Sequence, residues 1–213
     1  MVDPLLKTVG MELEADLDWR NSELATLREL LTVATQPEIR KRALYRAAWA
    51  LLYAHYEGFV KFSLELYIDS LSRLLNTCSA IPDKMFVYFM EKEIRAARNL
   101  KAHECFKFFS IDMVNFRAQA PKAMTVDTKS NLWPALLQEL FEKLDLDSHN
   151  ISIDVRKLKT LVARRNDIAH GKKAFIQDMA YYLEYERVVV NLMYELALAI
   201  VDRFEKFAGS RPC

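Results

Sequence analysis

Glycine is scarce in this chain: only 4 of the 213 residues are Gly, whereas average usage of about 7% corresponds to roughly 15. Tight β-hairpins and phosphate-binding loops depend on glycine, because their backbones adopt positive φ angles or approach a ligand closely. The scarcity therefore argues against a β-sandwich, a Rossmann enzyme and a P-loop enzyme. With 52% hydrophobic and 28% charged residues, the composition predicts a folded, all-α protein.

Cysteine, charge of one sign and long apolar runs are lacking as well. The three cysteines, Cys78, Cys105 and Cys213, are too few and too scattered for the disulfide framework of a secreted domain. The 30 basic and 29 acidic residues nearly cancel, so only a local patch could bind a polyanion. The longest charge-free apolar stretch, 47–54, is much shorter than the ~18 residues of a membrane span.

The N-terminal segment carries acids where a secretory signal peptide would carry a basic start and an apolar run. We therefore expect a cytoplasmic protein with no membrane partner. A chain of this length is most simply one domain, 1–213, since length divided by ~150 gives about 1.4.

Apolar residues at helical spacing predict long helices separated by proline and polar breaks. Ser130 and Asp154 are expected N-caps, and Gly171 is the expected residue after a helix end. The stretch 102–129 has no sustained period, which predicts an irregular insertion with one short helical turn. We expect a bundle of about five to seven helices. The predicted helices cover about 4–34, 38–78, 84–101, 130–144, 154–170 and 178–207, with breaks that include 35–37 and a polar loop at 147–150.

The densest group of functional side chains lies at 164–173, where four cations and one histidine occur in a nearly neutral chain. On a helix, Asn166 and Asp167 lie four and three residues before His170, so both can share a face with its imidazole. Arg165 lies five residues before His170, and its long side chain can reach round to the same place.

An arginine and a histidine together suit cleavage of a phosphodiester by a neighbouring hydroxyl. Histidine has an ordinary pKa near 6.5 and can move a proton at neutral pH. Arginine stays charged and presents a planar fork that stabilises the phosphorane. RNA supplies the attacking hydroxyl as its own 2′-OH, so we expect neither a metal nor a cofactor.

The spacing alone is a weak signal, because Arg98 and His103 form a second pair of the same kind. Either pair could be no more than an arginine that lies near a histidine at a helix end. No metal site is predicted, since the run 103–105 lacks a second pair of zinc ligands. Trp49 and His55 are expected in the core or on a helix surface rather than as ligands.

Residues 165–171 (RNDIAHG) resemble the RN-x-IAHG signature of HEPN-superfamily ribonucleases, in which an arginine precedes a histidine by four to six residues. Residues 51–61 are similar to the N-terminal helix of the MAE-type HEPN-like nuclease branch, and the resemblance extends over about 43–207. It implies an all-α HEPN fold, a homodimer and metal-independent RNA cleavage, often in toxin–antitoxin or phage-defence systems. By this match Arg165 and His170 are catalytic and Asn166 lies beside them, whereas the Arg98 pair lacks the flanking Ile-Ala and Gly.

Several neighbours are candidates for supporting roles. Asp167 is one of them, since it can share a helix face with His170. Glu57, beside Gly58, is another, because its carboxylate could hold the motif arginine; an exposed Glu57 is the alternative. Arg164, Lys172 and Lys173 suit RNA phosphates, with a solvated basic helix end as the alternative. Some HEPN toxins carry a tyrosine, modified by a nucleotidyltransferase, where this chain has Lys172, so we do not predict that partner.

The leading interpretation is a metal-independent endoribonuclease that acts by 2′-OH attack, as a toxin or phage-defence effector with an antitoxin or defence-system partner. The alternative is an inactive HEPN helical module that serves as a dimerisation or scaffold subunit. A nucleotide-sensing regulator is a third interpretation. Because cleavage benefits from a base and an acid, and one motif holds one histidine, we expect a two-fold axis to bring two motifs together.

Overall fold

The structure is a computed structural model that describes residues 4–32, 38–147 and 150–209. The described residues form helices and contain no β-strand, which confirms the all-α prediction. A 3₁₀ turn covers Cys78–Ala80 and a π-helical turn covers Phe108–Asp112. The α-helices are α1 (Pro4–Thr32), α2 (Glu38–Leu74), α3 (Asp83–Phe89), α4 (Glu91–Ala97), α5 (Ala102–Lys107), α6 (Met113–Arg117), α7 (Pro134–Lys143), α8 (Val155–Ala169) and α9 (Met179–Gly209).

The long helices α1, α2 and α9 pack against one another and form the centre of the bundle. α2 also contacts α8, so its buried side chains recur around the helix instead of forming one stripe. Burying one large apolar side chain stabilises a fold by roughly 1.5–3 kcal/mol, so the fully buried aromatics of α2 make a large contribution. These aromatics are Trp49, Tyr53, Tyr56, Phe59 and Tyr67.

The first and last helices, α1 and α9, have boundaries close to those that their apolar spacing predicts. α1 ends at Thr32, near the predicted end, and the predicted break at 35–37 lies outside the described residues. α9 begins at Met179, and the Asp178 carboxylate accepts a hydrogen bond from the Tyr181 N–H at 2.8 Å. Within the described ranges, no helix combines the length and apolar character that crossing a membrane requires.

The two predicted ends of α8 are confirmed. The Asp154 carboxylate accepts a hydrogen bond from the Lys157 N–H at 2.9 Å, as an N-cap does. After the helix, Gly171 adopts φ +72°, a left-handed conformation that glycine tolerates best. The polar loop predicted at 147–150 includes Ser148 and His149, which lie outside the described residues.

The single helix predicted over 84–101 is wrong, because the chain forms α3 and α4 with a break at Met90. Tyr88 and Met90 are both buried. On a straight helix their side chains would point about 160° apart, so a change of direction lets both reach the core. Beyond α4, the residues 98–100 form turns before α5.

The irregular insertion predicted over 102–129 is wrong for its first half. α5, the π-helical turn and α6 follow one another over 102–117, and only 118–129 is irregular. Phe108 is the one buried residue in the helical part. A helix that buries so little leaves no apolar period in its sequence, which is why the pattern did not indicate it.

Ser130 is not an N-cap, contrary to the prediction. α7 begins at Pro134 with Trp133 as its N-cap, while Lys129 and Ser130 form a turn with positive φ angles. Proline fits the first helical position because it has no N–H to leave unpaired, and it restricts Trp133 to an extended backbone. The turn and the extended Trp133 bracket Asn131 and so determine where its side chain lies.

Candidate active site

α8 carries the arginine–histidine motif and ends at the surface. The buried side chains of Leu158, Leu161 and Val162 fix the helix against α2 and α9, and the Trp49 indole N–H donates to the Leu161 carbonyl at 3.1 Å. Exposure increases along the motif, since 164–168 are partly buried and 169–173 are exposed.

The Arg165 guanidinium is held by three acceptors and one aromatic ring. Nη1 donates to Oδ1 of Asn131 at 3.1 Å and to Oδ1 of Asn166 at 3.0 Å. Nη2 donates to Oε2 of Glu57 at 3.4 Å, and the guanidinium carbon lies 4.0 Å from the centroid of the Tyr53 ring. The side chain remains 24% exposed, so the fork has a fixed direction and can still be reached by a phosphate.

Glu57 and Tyr53 lie one turn apart on α2 and both contact Arg165. The Glu57 side chain is 20% exposed, and its Oε1 is buried without a hydrogen-bond partner among the described residues. Burial raises the pKa of Tyr53 to about 12. The hydrogen bond that its hydroxyl accepts from the Leu132 N–H lowers this pKa, but by less than burial raises it. The contact predicted between Glu57 and the motif arginine is therefore present, and Glu57 is not the exposed surface residue of the alternative prediction.

The loop before α7 is attached to α2 by two hydrogen bonds to Leu132. Its N–H donates to the Tyr53 hydroxyl at 2.9 Å, and its carbonyl accepts from the Tyr56 hydroxyl at 3.1 Å. Burial also raises the pKa of Tyr56, so both phenols stay neutral at physiological pH. These bonds fix the backbone next to Asn131 and so place its side chain against Arg165.

His170 is the C-cap of α8, and its side chain is exposed. The Gly171 N–H donates to the Ile168 carbonyl at 3.1 Å and the Lys172 N–H to the Asp167 carbonyl at 2.8 Å, which together form a Schellman motif. The His170 N–H donates to the Asn166 carbonyl at 2.9 Å. One helix thus carries a partly buried, oriented guanidinium and, at its end, an exposed imidazole.

Over residues 10–208 the chain matches the family described as HEPN_MAE_28990/-like HEPN. The chain belongs to this HEPN family. The match extends from α1 to α9. It includes α8, which carries Arg165, and α2, whose Glu57 and Tyr53 contact Arg165. No curated protein and no solved structure matches the chain.

In this HEPN protein, Asp167 of the motif and Lys172 just after it form an ion pair. The Lys172 ammonium lies 2.8 Å from Oδ1 of Asp167, so the structure pairs Asp167 with Lys172 rather than with Arg165. Asn166, in contrast, contacts Arg165 as expected. Lys173 is exposed and has no ion-pair partner among the described residues.

Arg164 holds the segment that follows the motif. Its guanidinium carbon lies 4.9 Å from the Tyr181 ring and 5.5 Å from the Trp49 ring, and Nη1 donates to the Phe175 carbonyl at 2.8 Å. Its binding to RNA stays a prediction, and these contacts give it a structural role that its position in the sequence did not indicate.

The second arginine–histidine pair of this HEPN protein has a different setting. Arg98 lies in the turn after α4, whereas His103 lies in α5, so the two residues do not share a helix. Both side chains are exposed. Their spacing along the chain therefore does not reproduce the arrangement of Arg165 and His170.

Two residues that contact Arg165, Tyr53 and Asn131, were not recognised from the sequence. Tyr53 precedes Glu57 by four residues, a spacing that places two side chains on one helix face, so this signal was present. Asn131 is distant in the sequence, and its placement depends on the turn at 129–130, which no local pattern indicates.

Trp49 and His55 are core residues, as expected. Among the residues that the structure describes, no three His, Cys, Asp or Glu side chains are grouped so that they could hold a metal ion. On α8 and its C-cap, the guanidinium of Arg165 is partly exposed and the side chain of His170 is exposed.

Proposed function

We propose that this HEPN protein is a metal-independent endoribonuclease that cleaves RNA by attack of the 2′-OH on the adjacent phosphorus. The observation that supports the proposal is the arrangement of Arg165. Its guanidinium is oriented by Glu57, Asn131 and Asn166, stays partly exposed, and lies on the helix that ends in the exposed His170.

The reaction requires one proton to be removed and another to be supplied. The bond from the 2′-oxygen to phosphorus forms as the bond from phosphorus to the 5′-oxygen breaks. The products are a 2′,3′-cyclic phosphate and a 5′-hydroxyl. His170 exchanges the protons, and Arg165 stabilises the additional negative charge of the phosphorane. Because the guanidinium is already oriented, it needs little rearrangement when that charge develops.

We also propose that the active form is a homodimer. A single motif supplies one imidazole, whereas the reaction benefits from a base and an acid. Two-fold symmetry would bring two Arg165–His170 pairs into one cleft, where one imidazole acts as base and the other as acid. The position of His170 at the exposed end of α8 is compatible with this arrangement.

The resemblance to HEPN ribonucleases supports a further assignment, as a toxin or phage-defence effector controlled by an antitoxin or defence-system partner. In that setting RNA is the substrate. Lys172 and Lys173, which lie two and three residues after His170 and are exposed, bind its phosphates.

The test is incubation of the purified protein with RNA in the presence of EDTA, followed by analysis of fragments and their termini. The expected products carry cyclic phosphates. His170→Ala abolishes cleavage and keeps the wild-type melting temperature, whereas the matched control His103→Ala cleaves normally. Normal cleavage by His170→Ala would place the active site elsewhere, and absence of cleavage by the wild type would favour the inactive scaffold module.

A further inference from the structure

The first turns of α2 lie beside the end of α8. The Arg46 Nη1 donates to the backbone carbonyl of Lys172 at 2.8 Å, which joins the two helix ends next to His170. Arg40 and Lys41 lie about 9 and 7.5 Å beyond Arg46 along the axis of α2. Their exposed side chains point about 120° and 140° away from the direction of Arg46, round the same end of the helix. The basic region that follows the motif therefore continues onto a second helix.

Both helix ends carry an excess of positive charge. Residues 38–46 carry four cations and one acid, and residues 164–173 carry the same. Together they have a formal charge of +6 in a chain whose net charge is +1, so the rest of the chain is acidic. We call these two segments the basic end. A local concentration of charge of this size is the electrostatic footprint of polyanion binding.

The cations on α2 are placed against the preference of a helix. The N-terminus of a helix carries a partial positive charge, so acids are stabilising there and cations are not. Arg42 is paired with Glu38 at 2.9 Å, but Arg40 and Lys41 have no acidic partner among the described residues. A local arrangement that does not favour stability is expected where the residues serve a function.

We propose that Arg40 and Lys41, together with Lys173, form a phosphate-binding surface that holds an RNA strand away from the cleaved link. The inference rests on the proposed ribonuclease function, since it extends the substrate path of that site. Arg40 lies about 25 Å from Glu57 along the axis of α2. Arg46 contacts Lys172 close to His170, and Arg40 lies about 9 Å beyond Arg46 along α2. The surface therefore contacts phosphates outside the cleaved link, and a dinucleotide that contains only that link does not reach Arg40 and Lys41.

Binding is measured by fluorescence anisotropy with a 2′-O-methylated single-stranded RNA, which keeps the phosphates but cannot be cleaved by 2′-OH attack. The variant R40A/K41A is compared with R98A/K101A, which removes two exposed cations outside the basic end. Each lost phosphate contact lowers the dependence of log K on log salt by about 0.7 for a single strand. We expect R40A/K41A to lose about 1.4 in slope and to bind roughly 25-fold more weakly at 0.1 M salt.

Three further measurements separate this inference from the proposed function. R40A/K41A keeps or raises the melting temperature, and it cleaves a dinucleotide as the wild type does, while its KM for long RNA rises. Equal affinity and slope in R40A/K41A and the wild type overturn the inference, as does equal weakening in R98A/K101A or failure of the wild type to bind. A wild-type protein that binds the probe through Arg40 and Lys41 but cleaves nothing overturns the proposed function and supports the inference.

Discussion

Arg165 and Glu57 form an ion pair in which both side chains are partly exposed. Pairs of this kind contribute only about 0–1 kcal/mol to stability, because solvent screens the attraction. The geometric effect is larger, since a carboxylate and two amide oxygens take up separate N–H groups of one planar fork. At the scale of the residue, Glu57 is thus a positioning residue for Arg165.

Glu57→Gln is expected to lower kcat by about ten- to a hundredfold, because the amide orients the guanidinium less strongly during phosphorane formation. KM and the melting temperature are expected to change little. Steady-state cleavage of a short RNA and thermal unfolding provide the two measurements.

Glu184→Gln is the matched control, since Glu184 is exposed and is paired with Lys157 at 3.5 Å. Glu57→Asp retains the charge and should recover part of the lost kcat. A loss of activity that merely follows a loss of folded protein would show that Glu57 is structural and does not position Arg165.

The end of α8 depends on the left-handed conformation of Gly171. A Cβ at this position would have no heavy atom within 4 Å, so alanine would meet no steric obstacle there. Its cost would be conformational, because φ +72° is unfavourable for residues with a side chain. The same turn carries His170 and Lys172, so the backbone conformation of one residue determines where the imidazole is presented.

Gly171→Ala is expected to destabilise the protein by about 1 kcal/mol and to reduce cleavage more than this loss of stability explains. Gly10→Ala is the control, because Gly10 lies within α1 and also has free space around it. It should stabilise the protein by about 0.5–1 kcal/mol. Urea unfolding of both variants measures the changes, and two changes of the same sign would contradict the expectation.

α1 and α2 meet at a buried polar cluster. Arg20 Nη1 donates to the His55 carbonyl at 3.4 Å, and Arg20 Nε donates to Asp16 at 2.6 Å. Gly58 makes room for this contact, since a Cβ there would lie 3.1 Å from Arg20 Nη1. His55 Nε2 lies 2.9 Å from a Glu23 oxygen, yet burial outweighs that attraction and lowers the pKa of His55.

This lowered pKa predicts acid destabilisation. Below about pH 6.5 the unfolded chain binds a proton at His55 while the folded chain does not, so the free energy of unfolding decreases as the pH is lowered. The slope from this group is at most about 1.4 kcal/mol per pH unit, and it ends where the folded ring binds its own proton. Urea unfolding between about pH 7 and 5 should show a weaker dependence in His55→Gln. The exposed His103, changed in the same way, is the control; an unchanged slope in His55→Gln would contradict the assignment.

For the molecule as a whole, apolar spacing and capping residues predicted the long helices and both ends of α8. Those features depend on local sequence and on burial of a continuous stripe. The break at Met90 and the helical stretch 102–117 were missed because the first depends on the shape of the core and the second buries only Phe108. In the site, Glu57 was found as the acid in an apolar face, whereas Asn131 required the fold of a distant turn.

The proposed homodimer makes a prediction that can be tested only on the assembled molecule. If one cleft uses two imidazoles, a dimer of one wild-type and one His170→Ala subunit lacks either its base or its acid. Wild-type protein equilibrated with an excess of His170→Ala should therefore lose most of its activity, because nearly every wild-type subunit is then in a mixed dimer. An equal excess of His103→Ala should instead add activity. Initial cleavage rates at constant wild-type concentration measure the effect, and a rate unchanged by the His170→Ala subunit would mean that each subunit cleaves RNA alone.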